Sequence, residues 1–176
     1  MKKTILSLAI TAMVGFTAQT MANTGTITFE GTVTANTCTP SISGGAASNT
    51  VTLPTASAGS LNAAAKTAGE TQFTMALSGC TGTLETASAF FEAGTNVNAD
   101  GRLINTGDAE NVDVQLLDGT TGNVIKAGST EQITDAGYLS VKGGTATLPY
   151  TARYYATGVA KAGAVSASVV YNLQYK

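Results

Sequence analysis

The sequence predicts an all-β fold, an antiparallel sandwich built around one core, and three observations carry that prediction. Apolar residues recur at every second position in several separate stretches. Clusters of Gly, Asn, Asp and Ser separate those stretches at the spacing of strand-to-strand turns. The chain has 176 residues, 43% of them hydrophobic, which is material for one core rather than two.

Taken in order, the elements begin with a leader. Lys2 and Lys3 precede an apolar run over residues 5–16, and Thr20-Met21-Ala22 follows, the pattern of a signal peptide cleaved after Ala22. The run of about 12 residues is short of the roughly 20 that span a bilayer. The mature chain then begins at Asn23. Over residues 25–34, Gly25, Ile27, Phe29, Gly31 and Val33 alternate with Thr26, Thr28, Glu30, Thr32 and Thr34, which gives a strand with one apolar face. Position alone leaves two readings open for it: the first strand of its own domain, or an arm that pairs elsewhere.

Export changes the meaning of the cysteines. Cys38 and Cys80 are an even pair in a chain bound for an oxidising compartment, which reads as a disulfide rather than a reactive thiol or a metal site. Closing a loop of about 40 residues stabilises by roughly 4 kcal/mol in the chain-entropy model.

Further strands are predicted around Val51 and Leu53, around Phe73, Met75 and Leu77, and over 112–117, where Val112, Val114 and Leu116 share a face. Asp118-Gly119 and Gly122-Asn123 mark a tight connection to Val124 and Ile125, and Gly143-Gly144 marks a turn before a strand over 146–150. The Ala-rich stretch 61–65 suits a short helical turn, since Gly59 and Gly69 bracket it too closely for a long helix. Val165, Ala167, Val169, Tyr171, Leu173 and Tyr175 alternate to the end of the chain. Strands at this spacing suggest an immunoglobulin-like sandwich.

Composition excludes several functions. Nine Lys and Arg against eleven Asp and Glu, with no basic cluster, give no footprint for a nucleic-acid backbone. There is no histidine, so the usual general base and the commonest metal ligand are missing. No Gly-x-Ser-x-Gly, phosphate loop or CxxC occurs. Asp108, Glu110, Asp113 and Asp118 read as a solvated polar face rather than a metal or glycosidic cluster, and Tyr150, Tyr154 and Tyr155 as core or interface aromatics rather than a sugar platform. No enzyme, cofactor or metal is expected.

Four features together resemble a known family: Gly-x-Ile-x-Phe-x-Gly-x-Val before the first cysteine, the Cys38 to Cys80 spacing, Ala152-Arg153-Tyr154-Tyr155-Ala156-Thr157-Gly158, and the penultimate Tyr175. Gly163 also stands fourteenth from the C-terminus. In these the chain is similar to chaperone–usher pilins of the type 1 and P pilus class, particularly the major shaft subunit, although it ends on Lys176 and has Tyr155 where another aromatic is common. The resemblance implies an immunoglobulin-like sandwich lacking its last strand, the incomplete pilin fold, with an N-terminal donor-strand arm. It divides the chain into a signal peptide 1–22, a donor-strand extension 23–36 and a pilin domain 37–176. Gly25, Ile27, Phe29, Gly31 and Val33 would enter a neighbour's groove. Gly163, Val165, Ala167, Val169, Tyr171, Leu173 and Tyr175 would line this chain's own groove and bind the chaperone. The implied partners are neighbouring pilin subunits in a homopolymer, a periplasmic chaperone and an outer-membrane usher, on a path through the periplasm to a surface fimbria that supports adhesion. A minor or adaptor pilin, or a free secreted carbohydrate-binding sandwich, is the alternative.

Overall fold

The computed structural model describes residues 26–31, 33, 35, 37–83 and 85–176. The leader and Gly25 lie outside these. The chain divides into two units, Met1–Thr32 and Val33–Lys176. In the first, Ile27 and Phe29 are 77% and 90% exposed, and the described residues carry no strand assignment.

The second unit is almost entirely β. Its strands are β1 (Thr37–Ile42), β2 (Thr67–Thr81), β3 (Thr86–Phe91), β4 (Leu103–Ile104), β5 (Glu110–Asp118), β6 (Val124–Ile125), β7 (Leu139–Ser140), β8 (Ala146–Lys161) and β9 (Tyr171–Tyr175). A 3-10 turn occupies Ala58–Leu61 and a one-turn helix, α1, occupies Glu131–Asp135. All pairings are antiparallel. One sheet runs β1-β2-β8-β5-β4 with β6 added on β5, and the other runs β7-β3-β9.

Alternation explains the core. Met75 and Leu77 of β2, Val114 and Leu116 of β5, and Leu148, Tyr150 and Ala152 of β8 point inward from the first sheet and meet Ala87, Ala89 and Phe91 of β3. Small residues on β3 let the rings of Phe91 and Tyr150 meet edge to face at 5.2 Å. Cys38 and Cys80 are bonded, so the start of β1 is tied to the end of β2. The β5–β6 hairpin forms as its turn residues require, with Gly122 at φ +76° and its N–H on the Asp118 carbonyl.

Four expectations need correction. Val51 and Leu53 pack against the core but belong to no strand, because no neighbouring strand offers them a ladder. The helical turn falls at Ala58–Leu61 rather than 61–65, started by Ser57, whose hydroxyl accepts from the Gly59 N–H. In the C-terminal stretch only Tyr171–Tyr175 forms a ladder; residues 163–170 belong to no strand, and Ala164, Ser166 and Val170 are held by hydrogen bonds to Ala109, Thr106 and Glu92. Asp113 and Asp118 are not solvated: they are 8% and 4% exposed, and only Asp108 and Glu110 are exposed. Arg102 folds over Asp113 and the Tyr155 ring, while the Asp118 carboxylate accepts the N–H groups of Thr120, Thr121 and Gly137 at 2.8–2.9 Å. The buried charge is met by main-chain donors, the arrangement burial demands.

Candidate functional site

Each sheet ends in a strand with one unpaired edge: β1 closes the larger sheet and β9 the smaller. Such an edge exposes main-chain N–H and C=O groups and invites another strand. A row of three cavities follows the C-terminal stretch, and the second and third of them are lined by residues of both edge strands. At its Gly163 end a cavity of about 440 Å³ is walled by Leu61, Val112, Tyr154 and Val165. The middle one, of about 350 Å³, lies between Ala47 and Val51 on one side and Val169 and Tyr171 on the other, with Met75 and Leu116 beneath. The last, of about 210 Å³, is bounded by Cys38, Val141 and Tyr175.

Of the predicted groove residues, Gly163 and Val165 wall the first cavity, Ala167, Val169 and Tyr171 the middle one and Tyr175 the last, whereas Leu173 packs against the core. Val165, Ala167, Val169, Tyr171, Leu173 and Tyr175 are all half-buried and pack against the core, whereas Ser166, Ser168, Val170 and Asn172 between them are exposed. The side chains therefore alternate throughout, although only the last five residues make the ladder to β3, with Leu173 opposite Ala89 and Tyr175 opposite Ala87.

Gly163 has a role that spacing could not reveal. Here the chain leaves β8 and crosses the 105–109 segment at main-chain contact, with Ala109 N–H on the Ala164 carbonyl at 2.9 Å and Thr106 N–H on the Ser166 carbonyl at 2.8 Å. A Cβ on Gly163 would stand 2.4 Å from the Ala109 nitrogen, so no larger residue fits without parting the two segments. That crossing swings the chain from the larger sheet to the smaller and so lays residues 163–175 along the row.

Several participants carried no sequence signal. Leu61 reaches the row from the 3-10 turn and Ala47 from a loop, and Gln132 secures the far side of β3, where β7 pairs only with Thr86 and Ala87. Its amide oxygen accepts the Phe91 N–H at 2.9 Å and its nitrogen donates to the Phe91 carbonyl at 3.0 Å, a carbonyl that also accepts the Gly128 N–H at 2.8 Å, so one side chain and one loop amide stand where a strand would pair. Burial raises the Tyr150 and Tyr171 hydroxyls above the ordinary tyrosine pKa, so both stay protonated at neutral pH. Among the described residues no cluster of three or more His, Cys, Asp or Glu is placed to hold a metal ion.

The sandwich thus leaves two strand edges unpaired beside apolar cavities. The fimbrial protein family matches residues 27–176, and the chain belongs to that family. It is a structural pilin subunit of a fimbria. The F17 fimbrial protein of Escherichia coli is 39% identical over 132 residues, covering 70% of this chain and 73% of that one. The major fimbrial subunit SMF-1 of Stenotrophomonas maltophilia strain K279a is 40% identical over 131 residues, covering 70% and 76%. Among solved structures, the P pilus rod subunit PapA superposes with a TM-score of 0.57 at 21% identity, over 79% of this chain and 99% of that one. A type I fimbria protein of Burkholderia pseudomallei superposes with a TM-score of 0.54 at 27% identity, over 81% and 97%. Family membership implies assembly with other pilin subunits in a fimbrium at the cell surface, and the family is a structural fimbrial one.

Proposed function

We propose that this pilin polymerises by donor-strand exchange: the extension 23–36 of one subunit completes the sandwich, residues 37–176, of the next. The observation that carries the reading is the pair of unpaired edges, β1 and β9, flanking the apolar row. Gly25, Ile27, Phe29, Gly31 and Val33 form the donated face, and Gly163, Val165, Ala167, Val169, Tyr171, Leu173 and Tyr175 the accepting edge. Ile27, Phe29 and Val33 are 77%, 90% and 101% exposed, so nearly their whole apolar surface is free for burial. At about 1.5–3 kcal/mol each, the three give roughly 5–9 kcal/mol gross, to which main-chain hydrogen bonds on both sides add about 1 kcal/mol apiece. Donor and acceptor are different surfaces, so the contact repeats head to tail and the assembly is an open filament. Before assembly the row exposes an aggregation-prone edge, which is the need that a periplasmic chaperone meets by lending a strand, with an outer-membrane usher accepting the subunit afterwards. The filament supports adhesion and performs no chemistry.

Phe29→Asp tests this. It keeps the extended arm but places a carboxylate where the groove is apolar, a burial that costs several kcal/mol. Filaments seen by electron microscopy should disappear while the subunit still accumulates in complex with its chaperone. Wild-type filaments from the Phe29→Asp chain would refute donation by this arm.

A further inference from the structure

Two tyrosine hydroxyls cross the row of cavities. Tyr175 Oη accepts the Cys38 N–H at 3.1 Å, and the Tyr171 hydroxyl donates to the Ala47 carbonyl at 2.7 Å. Both tyrosines stand on β9. Both main-chain groups stand on the opposite wall, one on the end strand β1 and one on the loop that follows it. The Ala47 anchor is tied down in its turn, because Asn49 Nδ2 donates to the Ile42 carbonyl at 2.9 Å and the Ile42 N–H to the Ala46 carbonyl at 3.0 Å.

We infer that Tyr171 and Tyr175 are straps that close the empty groove and stand in for main-chain bonds of the incoming strand, so that strand entry requires their hydroxyls to let go. The inference rests on the donor-strand reading above. Its physical core is the Cys38 N–H. A strand entering beside β1 takes up the outward-facing groups of that edge, and an N–H has one proton to give. Tyr175 and the entering strand therefore compete for it. Tyr171 acts at the middle cavity, drawing the 43–50 loop toward β9 across the space a strand must fill. The rings themselves pack against the core, so the hydroxyls are separable from the apolar lining. The raised pKa of Tyr171 keeps its proton in place as the donated group. Straps of this kind would leave the edge groups satisfied while the groove waits, and would slow capture of a stray strand.

The test uses the disulfide-bonded chain from Asn23 to Lys176, its Tyr171→Phe and Tyr175→Phe variants, and the double variant. The probe is a fluorescent synthetic peptide of residues 23–34, with a scrambled peptide as control, and uptake is followed by anisotropy. A net hydrogen bond corresponds to a factor of roughly 2–12, so each single variant should take up the peptide a few-fold faster and the double variant on the order of tenfold faster. In the empty Tyr175→Phe chain the Cys38 amide should also exchange with deuterium faster than in wild type. Equal or slower uptake by both single variants, with wild type taking up the peptide normally, overturns the straps and leaves the donor-strand reading standing. Uptake by wild type no better than that of the scrambled peptide overturns the donor-strand reading and the straps with it. Should the double variant fail to fold, Tyr171→Phe decides, since it removes one oxygen and leaves the ring.

Discussion

Replacing Gly163 with alanine puts the crossing between the C-terminal stretch and residues 105–109 under direct strain. The added methyl would lie 2.4 Å from the Ala109 nitrogen and 2.5 Å from the Asp108 carbonyl carbon, where ordinary contacts begin near 3.4 Å. The segments must therefore part by about 1 Å, enough to stretch the hydrogen bonds from Ala109 to Ala164 and from Thr106 to Ser166 out of range. Two net bonds cost about 2 kcal/mol and residual overpacking about 1–3 kcal/mol more. Alanine returns about 0.4–1 kcal/mol by stiffening the unfolded chain, and a net loss of roughly 2–5 kcal/mol remains. Urea unfolding of the disulfide-intact chain, followed by circular dichroism, measures it. Gly143→Ala is the matched control: its Cβ would meet nothing within 4 Å, so its cost should stay within about 0.5 kcal/mol. If the two variants unfold at the same urea concentration, the close crossing is not what Gly163 is for.

Two further outcomes are expected. Gln132→Ala should cost roughly 1–3 kcal/mol in the same unfolding assay, because it strips the Phe91 N–H of its buried partner while the Phe91 carbonyl keeps the Gly128 N–H; a near-neutral result would show that water replaces the amide without loss. Leu173→Asp places a carboxylate on the apolar edge of the row and should lower subunit levels in the periplasmic fraction, measured by immunoblot, and unchanged levels would remove this edge from chaperone binding.

How far the sequence could be read depended on side-chain size. The strands β2, β5 and β8 were legible because large apolar residues alternate with polar ones, and the C-terminal alternation placed on one side six residues that pack against the core. In contrast β3 reads Thr-Ala-Ser-Ala-Phe-Phe, where alanine and serine differ too little for a period of two to emerge, although the small residues are what let Tyr150 approach. β1 contains Pro40, acceptable only because the strand is at an edge. β4 and β7 have two residues each, too few for any pattern. Val51 and Leu53 failed in the opposite sense: alternation there reports apolar contact, and a strand also needs a ladder partner. The burial of Asp113 and Asp118 depends on what folds over them, Arg102 in one case and the backbone of distant Gly137 in the other. Only Asp118-Gly119-Thr120-Thr121, an aspartate heading a turn, offered a local hint.

The bond between Cys38 and Cys80 sits one residue inside β1. Chain tension arriving from residues 35–36 therefore passes at once through sulfur into the end of β2, the long strand that pairs with β8 over nine register positions. The intervening residues 39–79 carry none of it, and β1 cannot be peeled off like a zip from its leading end. If the extension joins subunits as proposed above, a fibre pulled along its length would load these two cysteines in every subunit, so the failure point moves away from the edge strand and onto the non-covalent joints between subunits. Reduction would reverse that order by letting each domain pay out slack before the joints give way.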